Sequence, residues 1–279
     1  SLPNLEKGII KPSKLDLFVQ TKQQPEKVAC VRIVPKKTHY VVEVVYEKEE
    51  EQASVDTSLI AGVDIGLNNL ATVTSNQLTP FMINGRALKS INQYFNKKRA
   101  LLMSYIGNKG KSKRLDKLIH KRNNKISDYM HKSSKLIIEQ LINHKVGVLV
   151  IGKNKQWKNN IELGKRNNQN FVSIPHAVFI NQLKYKAELA GIEVIITEES
   201  YTSKCSFLDF EVIKKHDNYK GKRICRGLFR SENGNLINAD VNGSGNIIRK
   251  AVPNAFADGI EAVVVRPVRV TPDKIKVLS

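Results

Sequence analysis

The first part of the chain alternates between apolar and polar residues, and the later part follows other periods. Residues 28–34 and 40–46 have a period of two, which is typical of half-buried strands. The acidic run at residues 47–51 indicates an exposed linker. The pattern therefore predicts a β-rich segment over residues 1–58.

A larger unit of strands and helices is predicted after residue 58. The predicted strands are residues 59–66, 70–74, 80–83, 146–151 and 192–196. The predicted helices are a hairpin over residues 87–144, broken after Gly107, and two further helices over residues 176–190 and 240–249. Three strands followed by strands that alternate with helices favour an α/β fold with a mixed sheet.

The same pattern divides the rest of the chain into three parts. Residues 59–199 hold the predicted sheet and the helical hairpin. Residues 200–238 lack periodicity and contain two of the three cysteines. Residues 239–279 contain the last predicted helix and a tail interrupted by prolines.

The composition is that of a globular protein. Of 279 residues, 26% are charged and 41% are hydrophobic. The sequence contains no apolar stretch of the roughly 20 residues that a membrane span needs, so we expect no membrane association. Three widely spaced cysteines cannot form a disulfide framework, so we expect a reducing, cytoplasmic compartment.

Charge adds a clear indication of the partner. The formal net charge is +20 and the sequence pI is about 9.8. Residues 86–170 contain 21 Lys or Arg against four acids, which is +17 over 85 residues. A protein surface that only faces solvent usually carries both positive and negative side chains, whereas a surface that binds a phosphate backbone is mainly positive. The excess therefore favours a nucleic-acid partner, because neutralised phosphates release counterions in proportion to the contacts made.

Acidic positions fall at the ends of predicted elements. Asp64 closes the first buried strand, Glu198 and Glu199 follow the last one, and Asp240 opens the final helix. Converging carboxylates persist only with cations between them. Two magnesium ions about 4 Å apart would bind such oxygen ligands and support phosphodiester hydrolysis. Taken singly, Asp240 could instead cap a helix, and either glutamate could lie on the surface.

Four segments resemble, in the same order, the TnpB (OrfB) family of insertion-sequence transposons. Residues 61–71 (Ala-Gly-Val-Asp-Ile-Gly-Leu-Asn-Asn-Leu-Ala) are similar to its first RuvC motif. Residues 84–86 (Asn-Gly-Arg) and the lysine-rich hairpin are similar to the segment that follows. Residues 201–206 (Tyr-Thr-Ser-Lys-Cys-Ser) resemble the start of its zinc ribbon, and residues 238–247 (Asn-Ala-Asp-Val-Asn-Gly-Ser-Gly-Asn-Ile) resemble its third RuvC motif.

The resemblance implies a ribonuclease H-like RuvC domain preceded by part of a β-barrel wedge domain, as in RNA-guided nucleases related to the type V CRISPR effectors. It implies Mg²⁺ or Mn²⁺ as cofactor, and a DNA target and a guide RNA from the transposon end as partners. Such a protein is expected at the nucleoid of a prokaryote. Family members carry a recognition region and the first half of the wedge before this part, so we expect the N-terminal part to be missing.

The second RuvC motif departs from the family. The family's middle glutamate stands where this chain has Gly152, directly after a buried strand. Adjacent strands lie only about 5 Å apart, so a glutamate after the neighbouring strand can take over, as in a subset of the family. We expect Asp64, Glu198 and Asp240 to be catalytic and to bind Mg²⁺, with Glu199 as the alternate to Glu198.

The zinc ribbon is also incomplete. A structural zinc site needs four tetrahedral ligands, usually in two closely spaced pairs. Cys205 and Cys225 stand alone, and His216 adds one further candidate. We therefore expect residues 200–238 to hold no zinc while still contacting nucleic acid.

Candidates for nucleic-acid binding are mainly Lys and Arg side chains in the basic region, the loop after residue 152 and the insert at 200–238. The candidates are Arg86, Lys97, Lys98, Arg99, Arg114, Lys121, Arg122, Lys132, Lys153, Lys155, Trp157, Lys158, Lys204 and Arg223. Trp157 stands among lysines, where it can stack on a base or pack within its own domain.

Three functions are compatible with these features. The first is an RNA-guided DNA endonuclease encoded by a transposon. The second is a nuclease-dead relative that binds DNA or guide RNA, or a truncated accessory protein of a transposon. A transposase that performs strand transfer itself ranks below both, because the resemblance implies cleavage at donor sites rather than integration.

Overall fold

The computed structural model describes residues 2–49, 52–107, 110–153, 174–257, 259–260 and 266–272. The N-terminal segment contains α1 (Leu2–Glu6), β1 (Ile9–Ile10), β2 (Val19–Gln20), a 3₁₀ turn (Pro25–Lys27), β3 (Val28–Pro35) and β4 (Tyr40–Tyr46). Strands β3 and β4 confirm the two strands predicted from the alternation and pair antiparallel. The described part of this segment forms two separate two-stranded sheets, β1-β2 and β3-β4.

A six-stranded mixed sheet forms the centre of the protein, which confirms the predicted α/β fold. It contains β5 (Asp56–Ile65), β6 (Asn69–Ser75), β7 (Phe81–Asn84), β8 (Val146–Gly152), β9 (Glu193–Thr197) and β13 (Val268–Val270), in the order β13-β7-β6-β5-β8-β9. β5, β6 and β7 are antiparallel neighbours, whereas β8 and β9 run parallel to β5 and β13 runs parallel to β7.

The helices lie where the periodicity places them. They are α2 (Arg86–Ile106), α3 (Lys113–Asn143), α4 (His176–Leu189) and α5 (Ala239–Ala251). The predicted hairpin is formed by α2 and α3, and Ser112 caps α3 by accepting a hydrogen bond from the backbone of Arg114 at 3.2 Å. None of the described helices is both long and apolar enough to cross a bilayer.

Both faces of the sheet are covered, which explains the unbroken apolar runs in β5 and β8. On one face, Ala61 and Val63 pack in a core with residues of α3 and α4, including Leu141 and Phe179. On the other face, a second core is completed by α5 and by the insert between β9 and α5. A crevice lies where the sheet, α5 and the insert meet.

Residues 200–238 contain regular structure that the sequence does not predict. β10 (Lys222–Cys225), β11 (Leu228–Arg230) and β12 (Leu236–Asn238) form a three-stranded antiparallel sheet. These strands have only three or four residues each, so they are too short to show a period in the sequence.

Candidate active site

Three carboxylates from three different elements lie near enough for the charges of two of them to act on the third. Asp64 lies near the end of β5, Asp240 lies in the first turn of α5, and Glu199 follows β9. Burial, followed by the negative charges of Glu199 and Asp240, raises the pKa of Asp64 well above its usual range. Arg223 opposes that shift. The crevice therefore concentrates negative charge at the meeting point of sheet, helix and insert.

The structure brings Glu199, not Glu198, to this point. Glu199 is partly buried, and burial together with the charge of Glu198 raises its pKa to about 7. Glu198 points outward, where its carboxylate accepts hydrogen bonds from Ser200 Oγ at 2.6 Å and from Lys250 Nζ at 3.2 Å. Neighbouring residues of an extended chain point to opposite sides. The alternate candidate from the sequence is thus the one that faces Asp64, and the first choice lies on the surface.

Gly152 makes room for Glu199. Its partner in the β8–β9 register is Thr197, two residues before Glu199. A Cβ atom at position 152 would lie 2.4 Å from Glu199 Oε1 and 2.6 Å from Ile247 Cδ1, closer than real Cβ contacts. The Glu199 carboxylate therefore occupies the space that the absence of a side chain at Gly152 leaves free.

Asp240 is held by neighbours from the sheet and the insert. Asn69 Nδ2 donates to Asp240 Oδ2 at 2.7 Å, and the Arg223 guanidinium lies 3.7 Å from Asp240 Oδ1. Asn238 caps α5 by accepting from the backbone amides of Asp240 and Val241. A carboxylate in the first helical turn also interacts favourably with the helix dipole. These contacts fix Asp240 at the mouth of the crevice.

The carboxylates are not yet arranged as a set of metal ligands. In the part of the chain that the structure describes, no three His, Cys, Asp or Glu side chains lie close enough to hold one ion. The donors nevertheless suit a hard cation, because all three are carboxylates. Asn69 Oδ1 beside them is buried and accepts no hydrogen bond from a described residue.

The third-motif segment positions α5 against both the sheet and the insert. Gly243 lies under Asp64, where a Cβ atom would be 2.9 Å from Oδ2, and the Ser244 and Thr74 hydroxyls are hydrogen-bonded. Asn242 and Asn246 are fully buried and bind the insert: Asn242 Oδ1 accepts from Phe207 N at 2.9 Å. Both asparagines also donate to the Cys205 carbonyl oxygen. The motif thus fixes the insert beside the site.

Hydrogen bonds to the Glu211 carboxylate connect two segments of the insert. Glu211 is 3% exposed and accepts hydrogen bonds from Ser206 N at 2.7 Å and Lys220 N at 2.9 Å. The Cys205 thiol is buried and donates to the backbone carbonyls at 212 and 214, whereas Cys225 is exposed on β10. Glu211 thus links the turn that carries Cys205 to the segment that leads into β10.

An arginine-lined pocket of about 320 Å³ lies beside Asp64 and Asp240, and Glu199 is not among its lining residues. Its walls include Asp64, Asn69 and Asp240. Its guanidinium groups come from α2, the insert and the last strand, and they belong to Arg86, Arg223, Arg226 and Arg269. Arginine binds phosphate through two parallel hydrogen bonds, so the pocket combines carboxylates for cations with guanidinium groups for a phosphate backbone.

A second basic cavity, of about 600 Å³, lies between α2 and α3. Its floor is apolar and includes Phe95 and Leu102, and its cations are Lys98, Arg114, Lys117, Lys121, Arg122 and Lys125. Arg122 is partly buried, hydrogen-bonded to Asn92 Oδ1 at 2.9 Å, with its guanidinium 5.6 Å from the Phe95 ring. We call this surface the hairpin cleft.

The remaining predicted nucleic-acid residues lie in several places. Lys97 and Arg99 are exposed on α2, Lys132 pairs with Asp128 on α3, Lys153 is exposed after β8, and Lys204 is exposed in the insert. The other three, Lys155, Trp157 and Lys158, lie outside the described residues.

Several residues that shape the site were not predicted from the sequence. These are Asn69, Asn242, Asn246, Glu211 and Arg269. A signal was available for the asparagines, because all three lie inside the two RuvC-like motifs. For Asn242 and Asn246 there was a second signal, since asparagine in a helix interior is unfavourable without a specific role. Glu211 and Arg269 carry no local signal.

Two family models match the chain. The OrfB_IS605 family, described as a probable transposase, matches residues 43–158 and so includes Asp64 and Gly152. The model described as Cas12f1-like, TNB domain matches residues 176–247 and includes Glu199 and Asp240.

Individual proteins show the same relationship. The CRISPR-associated endodeoxyribonuclease Cas12f1 of Sulfoacidibacillus thermotolerans is 26% identical over 237 residues, which are 78% of this chain and 51% of that protein. A cryo-EM structure of the Cas12f1-sgRNA-target DNA complex shares the fold with a TM-score of 0.55 and 19% identity, over 78% of this chain and 55% of that one. A cryo-EM structure of a CRISPR-Cas12f ternary complex has a TM-score of 0.52 and 20% sequence identity, and the match covers 78% of this chain and 44% of that one. The chain thus spans about half the length of these relatives.

Proposed function

We propose that this chain, which is similar to the OrfB_IS605 family and to Cas12f1, supplies the RuvC nuclease of an RNA-guided DNA endonuclease from a transposon. In this proposal residues 59–199 and 239–279 form the nuclease domain. Residues 1–58 are part of a wedge domain, and residues 200–238 are a zinc-free insert that contacts nucleic acid.

The observation that carries the proposal is the position of the Glu199 carboxylate above Gly152, facing Asp64. A nuclease that had lost its middle glutamate without replacement would need no buried acid there. Burying a second carboxylate beside Asp64 raises the pKa of both groups and costs stability. Such a costly arrangement is typical of a catalytic site rather than of a packing role.

The donor set fits divalent cations. Asp64, Glu199 and Asp240 would hold them, with the Asn69 carbonyl oxygen as a further oxygen donor nearby. Bound there, Mg²⁺ or Mn²⁺ would neutralise the carboxylates, activate water and stabilise the leaving oxygen of a phosphodiester.

The chain's own side chains position the substrate. Asn69 orients the Asp240 carboxylate through its amide hydrogen bond. Arg223 lies within reach of Asp240 and of the pocket, so it binds a phosphate oxygen of the strand to be cut while limiting repulsion from the acids. The three carboxylates act as a unit in this scheme, so loss of any one removes most of the rate.

Nucleic acid is proposed to follow the basic surface from the hairpin cleft to the arginine-lined pocket. The partners are a DNA target and a guide RNA from the transposon end, and the protein acts at the nucleoid of a prokaryote. The cations along this path neutralise phosphates, and the apolar floor of the cleft, with Phe95, offers a surface for bases.

The test is cleavage of labelled DNA in Mg²⁺ or Mn²⁺. It is carried out with this chain, and also with a full-length relative that is supplied with that relative's guide RNA. We expect Asp64→Asn, Asp240→Asn and Glu199→Gln each to lower the rate by about 100-fold or more while nucleic-acid binding persists. Glu198→Gln, the matched control from the adjacent position, should retain most of the activity.

Gly152→Ala tests the relocation directly. The added methyl group displaces the Glu199 carboxylate, so cleavage should fall nearly as far as in Glu199→Gln. Full activity in Glu199→Gln would contradict the role of this residue. Unmodified protein that binds DNA and guide RNA but cuts neither strand would contradict the nuclease proposal and favour the nuclease-dead alternative.

A further inference from the structure

Arg269 reaches the site from a part of the chain that lies beyond both family matches. It stands in the middle of β13, and the second family model ends at residue 247. The strand pairs parallel with β7, with Arg269 opposite Met82. Val268 N donates to the Pro80 carbonyl at 3.0 Å and Asn84 Nδ2 donates to Thr271 Oγ1 at 3.3 Å, so the strand is anchored at both ends.

The register places Arg269 on the same face of the sheet as Asp64. Met82 is opposite Thr72 on β6, and Thr72 is opposite Asp64 on β5. Directly paired residues of neighbouring strands point to the same face. Three strand spacings of about 4.8 Å put the two Cα atoms about 14 Å apart. The long arginine side chain covers part of that gap, and Arg269 and Asp64 line the same pocket.

The guanidinium of Arg269 is available for a ligand. Arg223 is already close to Asp240, whereas the Arg269 side chain makes no hydrogen bond or ion pair with any other residue that the structure describes. Arg269 is exposed, and its strand β13 is separated from β5, which carries Asp64, by β7 and β6. Such a position suits a phosphate next to the one being cut, rather than the reacting phosphate itself.

We propose that Arg269 is a positioning residue that binds a backbone phosphate adjacent to the scissile one. The inference rests on the proposed nuclease function and adds a contact from the C-terminal strand. The chemistry recognised is a nucleic-acid phosphodiester, which the planar guanidinium binds through two parallel hydrogen bonds. The contact holds the strand across the pocket so that the scissile phosphate meets the carboxylates.

The experiment compares Arg269→Ala, Arg269→Lys and Arg266→Ala in the whole chain. Arg266 is an exposed arginine three residues earlier in the same segment and does not line the pocket, so it is the matched control. The probe is a short fluorescein-labelled single-stranded DNA, with binding followed by anisotropy in Ca²⁺ over a series of salt concentrations. Cleavage of the same DNA in Mg²⁺ or Mn²⁺ gives kcat and KM.

We expect Arg269→Ala to weaken binding about threefold to tenfold and to reduce the slope of log affinity against log salt by about 0.7, the value for one phosphate contact on a single strand. KM should rise more than kcat falls. Arg269→Lys should restore the salt slope but only part of the affinity, and Arg266→Ala should match the unmodified chain.

Equal binding and equal salt slopes in Arg269→Ala and Arg266→Ala would overturn the inference, even if the unmodified chain cuts DNA. Loss of binding in Arg269→Ala alone would support the phosphate contact even if the unmodified chain cuts nothing. In that case the nuclease proposal fails and the phosphate contact remains.

Discussion

Burial and mutual repulsion make Asp64 and Glu199 costly to ionise. Asp64 lies in β5 and Glu199 follows β9, and for both side chains the pKa is raised. Gly152 and Gly243 leave the space in which the two carboxylates lie. Each acid therefore binds protons more tightly in the folded chain than in the unfolded chain. That difference gives stability a dependence on pH that can be measured without any substrate.

In metal-free protein, the free energy of unfolding should fall as the pH rises from about 4.5 to about 7. The folded chain keeps Glu199 protonated up to about pH 7, whereas the ordinary value for this side chain is 4.5. Stability is lost wherever the folded state holds more protons than the unfolded state. Asp64 contributes in the same direction.

Glu199→Gln isolates this effect, because glutamine has the same shape and no proton to lose. At about pH 8 the metal-free variant should be more stable than the parent by roughly 3 kcal/mol, and near pH 4 the two should be alike. Urea unfolding of both proteins across this range measures the difference. Parallel stability curves for parent and variant would contradict the raised pKa of Glu199.

At the scale of elements, α5 and the insert form one structural unit. Asn242 and Asn246 bind the first turn of the insert, and Arg249 donates to the Glu211 carbonyl at 3.2 Å. Glu211 in turn ties this turn to the start of the small sheet that carries Arg223. The position of Arg223 beside Asp240 thus depends on a buried carboxylate far along the chain from either motif.

Glu211→Gln should loosen the insert. An amide offers one oxygen acceptor and places donor hydrogens against a backbone N–H, so at least one of the two buried hydrogen bonds is lost, at a cost of about 1–3 kcal/mol. Denaturant unfolding and limited proteolysis within residues 200–238 measure the effect.

Glu232→Gln is the control for this change, because Glu232 is exposed and makes only a 3.6 Å ion pair with Lys220 in the same segment. It should unfold like the parent. If a zinc chelator destabilised the parent as much as Glu211→Gln does, a metal rather than Glu211 would hold the insert together.

At the scale of the whole molecule, the positive charge is arranged around two cavities rather than spread evenly. The hairpin cleft carries six cations, and the arginine-lined pocket carries four. Cations in a groove attract a polyanion before any specific contact forms. This arrangement of cations fits the proposed path of nucleic acid along α2 and α3 toward the arginine-lined pocket.

The triple variant Lys117→Gln, Lys121→Gln and Lys125→Gln should weaken binding of single-stranded DNA and reduce the salt slope by about 2, because each phosphate contact contributes about 0.7. Anisotropy titrations in increasing salt measure both quantities. A control with the same loss of charge changes Lys135, Lys145 and Lys184, which are exposed and outside the cleft. Equal effects in the two triples would mean that total charge, not the cleft, drives binding.

The sequence by itself determined the strands, the helical hairpin, the basic region and the two motifs that carry Asp64 and Asp240. These features depend on local patterns in the sequence. Strand β5 is visible as a run of apolar residues, and helix α3 is visible because its buried residues recur three and four positions apart. The sequence also narrowed the third carboxylate to two adjacent residues after β9.

Only the tertiary structure showed which of these two glutamates points toward Gly152 and which points outward. It also showed that Arg269 lines the pocket and that Glu211 holds the insert together. The direction of Glu199 depends on the space that Gly152 leaves on the neighbouring strand. Arg269 reaches the pocket through pairing of β13 with β7, nearly two hundred residues earlier in the chain. Such contacts join distant segments, and a local pattern of apolar and polar residues carries no information about which distant segments meet.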